Sequence, residues 1–163
     1  LGGSLDVHMR VYIRTATASE PATYSFTNSL FSEQTSVLIA LRDASPFGDS
    51  LGQDWHAASN VSSWRIVEEH VTPSIERGGQ KLICFSFFAH TPLQAPITQT
   101  PPSGMTEIAD LPGSGTTLAI AYLDSPPNPT LERQFHPSQI PLFSGHSISA
   151  AILVPGAQIF GSV

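Results

Sequence analysis

Apolar Leu5, Val7, Met9, Val11 and Ile13 alternate with Asp6, His8, Arg10, Tyr12 and Arg14. Successive side chains of a strand point to opposite faces, so this period of two predicts a strand over residues 5–14 with one buried and one wet face. Shorter apolar segments, punctuated by proline and glycine, predict seven more strands at residues 23–28, 36–42, 64–71, 81–89, 105–109, 117–124 and 147–154. In two of these the apolar run is nearly unbroken: Val37, Leu38, Ile39, Ala40 and Leu41, and Leu82, Ile83, Cys84 and Phe85. Both are expected mid-sheet, covered on both faces. No convincing amphipathic helix lies between the strands.

Three long connections remain, at residues 43–63, 91–104 and 125–145, the last holding Pro126, Pro127, Pro129, Pro137 and Pro141. Loops beyond about 12 to 15 residues usually bind something or pack on a neighbour, so contacts are expected there. Eight short strands with long end loops predict an all-β fold, a two-sheet antiparallel sandwich of jelly-roll type. An immunoglobulin-like sandwich is the alternative, although the cysteine pair flanking a core tryptophan is missing. The 163 residues suit one domain, placed at 1–154, with a C-terminal tail at 155–163. In that tail Ile159 and Phe160 have no evident place in the domain and are expected to contact a partner.

Charge narrows the classes of partner. Only 12% of residues are charged and the net charge is −6, with the arginines scattered at 10, 14, 42, 65, 77 and 133. Neutralising phosphates takes clustered Lys and Arg, so no nucleic-acid partner is expected. No apolar stretch approaches the ~20 residues of a spanning helix, and no membrane insertion is expected. The chain opens on Leu1 rather than Met, which suggests a processed or truncated start.

Candidate chemistry is sparse. The single Cys84 sits inside an apolar run and reads as a buried structural thiol, without a neighbouring base to activate it. Gly48, Asp49, Ser50 and Leu51 resemble the nucleophile block of the GDSL hydrolases. That family's late Asp-x-x-His has no counterpart, because Arg133 stands three residues before His136. A GDSL-type hydrolase is therefore the third-ranked reading. Glu68 and His70 can share a strand face, but a zinc site needs three or four converging ligands. His8, His56, His90, His136 and His146 are isolated in sequence. No catalytic residue, metal or cofactor is expected. Trp64 is expected in the core, while Trp55, between Asp54 and His56, could stack on a sugar ring.

Three stretches together resemble a β-sandwich domain recurrent in tailed-bacteriophage virion proteins, in tail fibres, appendages or head decoration. They are VYIRTATASEPATYSFT at 11–27, SVLIALRDAS at 36–45, and PPSGMTE at 101–107 followed by Ala109 and Asp110. The matching order covers roughly residues 5 to 110. Members usually carry an upstream strand and a Pro-x-Gly-Trp turn, which this chain lacks. The resemblance implies a non-enzymatic virion structural protein on the particle surface, a cement protein or a tail-fibre module. Its implied partners are other capsid or tail proteins and copies of itself in a homo-oligomer such as a trimer. The alternative is a carbohydrate- or host-receptor-binding module that takes a host surface glycan through Trp55.

Overall fold

A computed structural model describes residues 9–26, 35–42, 44, 56–64, 70–72, 74–75, 81–89, 96–139, 145–154 and 158–162, with the backbone alone at 56–64, 70–71, 145–146 and 158–162. Among them all regular structure is strand: β1 (Ile39–Arg42), β2 (His56–Trp64), β3 (His70–Thr72), β4 (Lys81–Ala89), β5 (Gln99–Thr100), β6 (Thr106–Pro112), β7 (Thr116–Asp124), β8 (Arg133–Pro137), β9 (Gly145–Val154) and β10 (Gln158–Ser162). Every pairing is antiparallel. The all-β class expected from the sequence is the class observed.

Strand β4 is the axis of the fold. It pairs with β7 on one edge and β9 on the other, within a five-stranded sheet ordered β2-β9-β4-β7-β6. Its even residues Leu82 and Cys84 align with Leu123 and Ala121 of β7 and with Leu153 and Ala151 of β9, and pack in one cluster with Ile75, Met105, Ala119 and Phe135. The odd residues Ile83 and Phe85 join Leu118, Ile120, Ala150, Ile152 and Val154 on the opposite face. That face is met by Val37, Ile39 and Leu41, by Met9, and by Ile108. A strand covered on both faces must be apolar at odd and even positions alike, which is why 82–85 reads as a continuous run.

Two smaller sheets supply the cover: β1 with β10, and β3-β8-β5. In the second, Phe135 of β8 is fully buried. Thr130 clamps it beside residue 75, since the Ile75 amide donates to Thr130 Oγ1 at 2.8 Å and the Thr130 amide donates to the Ile75 carbonyl at 2.9 Å. Before β6 the chain turns at Gly104, whose φ of +77° suits the third position of a type II turn, closed by the Met105 amide on the Pro102 carbonyl at 3.0 Å.

Several expectations need correction. Residues 9–14, the clearest alternation, enter no sheet, and only Met9 packs against the core. Alternation says which side a strand would bury and cannot supply a pairing partner. Residues 23–26 are likewise outside any strand. The run at 36–42 yields a four-residue strand paired with β10 alone, with Ile39 and Leu41 inward and Leu38 and Ala40 exposed, so it is not central. Trp64 ends β2 instead of opening a strand, and β2 fills the second half of the expected loop 43–63. The connection 125–145 contains β8, and the connection 91–104 contains β5. Residues 158–162 of the expected tail form β10, placing the backbone of Ile159 opposite Leu41.

With Leu82 fully buried between β7 and β9, Leu82→Ala is expected to cost about 2–5 kcal/mol, read as a lower midpoint in urea unfolding at unchanged slope.

Candidate interaction surface

The one thiol of the chain is tied up in the fold. The Cys84 thiol is pushed up to about 11, chiefly by burial, with the Thr72 hydroxyl 3.6 Å from Sγ opposing the shift. Such a thiol stays protonated near neutrality and is a poor nucleophile. Among the described residues no group of three His, Cys, Asp or Glu side chains converges as metal ligands would. His136 lies exposed on β8. Gly48, Asp49, Ser50, Leu51, Trp55, Glu68 and Glu69 lie outside the described residues, as do the side chains of Trp64, His70, Ile159 and Phe160.

A buried polar belt crosses one face of the central sheet. Ser86 Oγ donates to Gln99 Oε1 at 2.6 Å, and Gln99 Nε2 returns a bond to the Ser86 carbonyl at 3.1 Å. The Gln99 amide donates to Asp110 Oδ2 at 3.0 Å, and Thr117 Oγ1 to the Ile97 carbonyl at 2.9 Å. These bonds hold the two-residue strand β5 against β4, β6 and β7. Asp110 is half-buried and its carboxyl is raised above the usual value, first by desolvation and further by Glu107, with the Gln99 amide acting in the other direction.

The feature that faces outward is residues 9–26. Here the chain doubles back at a turn over Ala18 and Ser19. Three nested pairs hold the two limbs together: Tyr12 against Phe26 with ring centroids 5.8 Å apart, the Arg14 guanidinium 5.8 Å from the centre of the Tyr24 ring, and Thr17 bonded to Glu20. Glu20 is the hub. Its Oε1 accepts the Thr17 amide at 2.6 Å and the Thr17 hydroxyl at 3.0 Å, while Oε2 accepts the Tyr24 hydroxyl and lies 3.6 Å from Arg14 Nε. The spelling Thr-x-x-Glu is that of a capping box, but Pro21 follows at once and biases Glu20 away from helical dihedrals, so the motif closes a turn and starts no helix. Hydrogen bonds from Tyr24 and then Thr17 lower the Glu20 carboxyl to about 2, and the same contact raises the Tyr24 phenol.

This arm is unusually apolar for something so exposed. Of the eight large hydrophobic side chains that stand exposed among the described residues, five belong to it: Val11, Tyr12, Ile13, Tyr24 and Phe26. Tyr12 is 68% exposed and Phe26 52%. Val11 and Ile13 neighbour Tyr12 in sequence and are also uncovered, so successive positions of one limb, and with them both of its faces, are open to solvent. Exposed apolar side chains are ordinary when scattered and informative when gathered. The signal that could have marked the arm in the sequence is the Thr-x-x-Glu-Pro turn between two aromatic-bearing segments.

Comparisons with protein-family models, with curated proteins and with solved structures gave no match for the chain.

Two titrations follow from these contacts. Glu20 has a folded value below its ordinary 4.5, so its contribution to the arm is complete above about pH 4.5 and fades as pH falls toward about 2. Carboxyl-carbon NMR should show Glu20 titrating near 2, and Glu20→Gln should weaken the Tyr12–Phe26 ring contact at neutral pH. Asp110 has the opposite sign. Its folded value lies above the ordinary 3.8, so its ionisation lowers stability as pH rises through that range. Unfolding measured between about pH 3 and pH 7 should show this loss, and Asp110→Asn should flatten it.

Proposed function

We propose that this chain is a non-enzymatic structural protein of a bacteriophage particle, a surface decoration or cement protein or a tail-fibre module, that acts by protein–protein contact through the arm at residues 9–26. The observation that carries this reading is the arm itself: five exposed large apolar side chains on a preformed doubled-back segment. A buried interface is the usual use for such a surface. Aromatic side chains combine large contact area with few rotatable bonds, and they dominate the energetics of interfaces.

The resemblance to virion domains supports the reading because its first stretch, residues 11–27, coincides with the arm. The polar belt and the inert Cys84 also suit a protein whose interior is given over to holding sheets together. The glycan-binding alternative rests on Trp55, which lies outside the described residues.

Mass spectrometry and immunogold labelling of purified particles are expected to find the chain on the particle surface; its recovery only in particle-free fractions would sink the proposal. Particles stripped of the protein should rebind it, and Tyr12→Ser/Phe26→Ser should rebind at least about thirtyfold more weakly, since truncating an interface aromatic commonly costs 2 kcal/mol or more. Circular dichroism of the double variant should match that of the parent, because both rings lie outside the core.

A further inference from the structure

We infer that residues 10–16, the first limb of the arm, dock by strand addition: they extend the open edge of a β-sheet in a different protein, an edge that is apolar beside Val11 and Ile13 and acidic beside Arg10. This inference rests on the reading above that the arm is a contact surface, and it names the mode of contact and the chemistry of the partner.

The unpaired backbone is the first argument. Residues 10–16 contain no proline or glycine, and Val11, Tyr12, Ile13 and Thr15 are of the kinds that favour strands. Among the described residues they join no ladder, and none of their backbone groups makes a hydrogen bond; the next amide, that of Thr17, is the one that bonds Glu20. All of residues 10–16 are exposed, and the return limb meets them through the side-chain pairs Tyr12–Phe26 and Arg14–Tyr24. Water satisfies these backbone groups only while the limb stays in solvent. Once its aromatic surface is buried, each N–H and C=O must find a partner. A flat surface of side chains has no row of donors and acceptors at strand spacing, whereas the edge of a sheet has one. The open faces agree with this. A flat surface would cover one face of the limb, while a strand added to a covered sheet is buried on both.

Alternation sets the chemistry of the recipient. Val11 and Ile13 fall on one face of an extended limb, and Arg10, Tyr12 and Arg14 on the other. Arg14 is engaged within the arm by Glu20 and Tyr24, but Arg10 is exposed and has no ion pair among the described residues. With Arg10 and Arg14 against Glu20, the arm's net charge is +1, and a carboxylate on the neighbouring strand complements it. This chain's own described strands do not fit. β4, β7 and β9 are paired on both edges, and β2 has no carboxylate. β6 is kinked by a bulge between Glu107 and Ala109 and ends in Pro112, and the strands of the smaller sheets are two to five residues long.

Hydrogen exchange of the free full chain, read by mass spectrometry, should show the amides of residues 10–16 exchanging without protection; slow exchange there would mean a limb already paired and would sink the inference. Proline deletes one donor and keeps an extended backbone, so comparison with alanine at the same position separates backbone from side chain. Successive N–H groups of a strand point to opposite edges, so two positions are compared: Ile13→Pro with Ile13→Ala, and Arg14→Pro with Arg14→Ala. At least one proline variant should rebind stripped particles about tenfold more weakly than its alanine counterpart, with circular dichroism unchanged. If both prolines match their alanines while Tyr12→Ser/Phe26→Ser still loses rebinding, the contact reading stands and strand addition falls. If the aromatic variant rebinds like the parent, or the parent does not rebind, both fall. Arg10→Glu should rebind about tenfold more weakly at low salt and lose less at high salt; parental rebinding at both would overturn the acidic edge. An oligomer of the parent alone that a proline variant dissociates would give the limb to a second copy and refute the partner assigned here.

Discussion

Strand β4 needs partners in four directions. Its two edges take β7 and β9, and its two faces carry apolar side chains that must be kept from water. A single sheet meets only the edge requirement. The face requirement explains the rest of the architecture: β1 covers the side of Ile83 and Phe85, while β8, with Phe135, and the segment around Ile75 cover the side of Leu82 and Cys84. The small residues opposite β4, Ala119, Ala121, Ala150 and Ala151, let these covering side chains approach the sheet closely.

The covering layers are short and are fastened by specific polar bonds more than by their own ladders. β3 offers three residues, β5 two and β8 five. What holds β5 is the Gln99 side chain lodged on Ser86 and its amide on Asp110; what fixes the start of β8 is the reciprocal pair between Thr130 and Ile75. Buried polar groups left unpaired are costly, so fully bonded ones hold the strands in one register. The half-buried Asp110 carboxyl joins that fastening through Oδ2 alone; its Oδ1 is buried without a hydrogen-bond partner, and desolvation is the cost of placing it there.

The sequence made the central sheet readable and the periphery not. Strands β4, β6, β7 and β9 were expected within a few residues of their observed ends, since each carries enough apolar side chains to announce its own burial. β2, spelled HAASNVSSW, and β8, spelled RQFHP, have too few to do so; each takes its conformation from a neighbour, β2 from the nine-residue ladder with β9 and β8 from β3 and β5. The error at residues 9–14 is the converse. There the local pattern is that of a strand, and the ladder that would make it one does not form among the described residues. That mismatch is also what brings the arm to light, because an alternation with nothing to pair with leaves its apolar side exposed.

Lys81 is the only lysine in the chain. It lies buried across from Asp124, with its ammonium 4.4 Å from the centre of the Tyr122 ring. Its withdrawal means that whatever permanently cationic side chains the surface presents are guanidinium groups, planar, weakly hydrated and charged at every physiological pH. Acylation of a lysine ammonium, which removes a surface charge after synthesis, would find no accessible lysine side chain here.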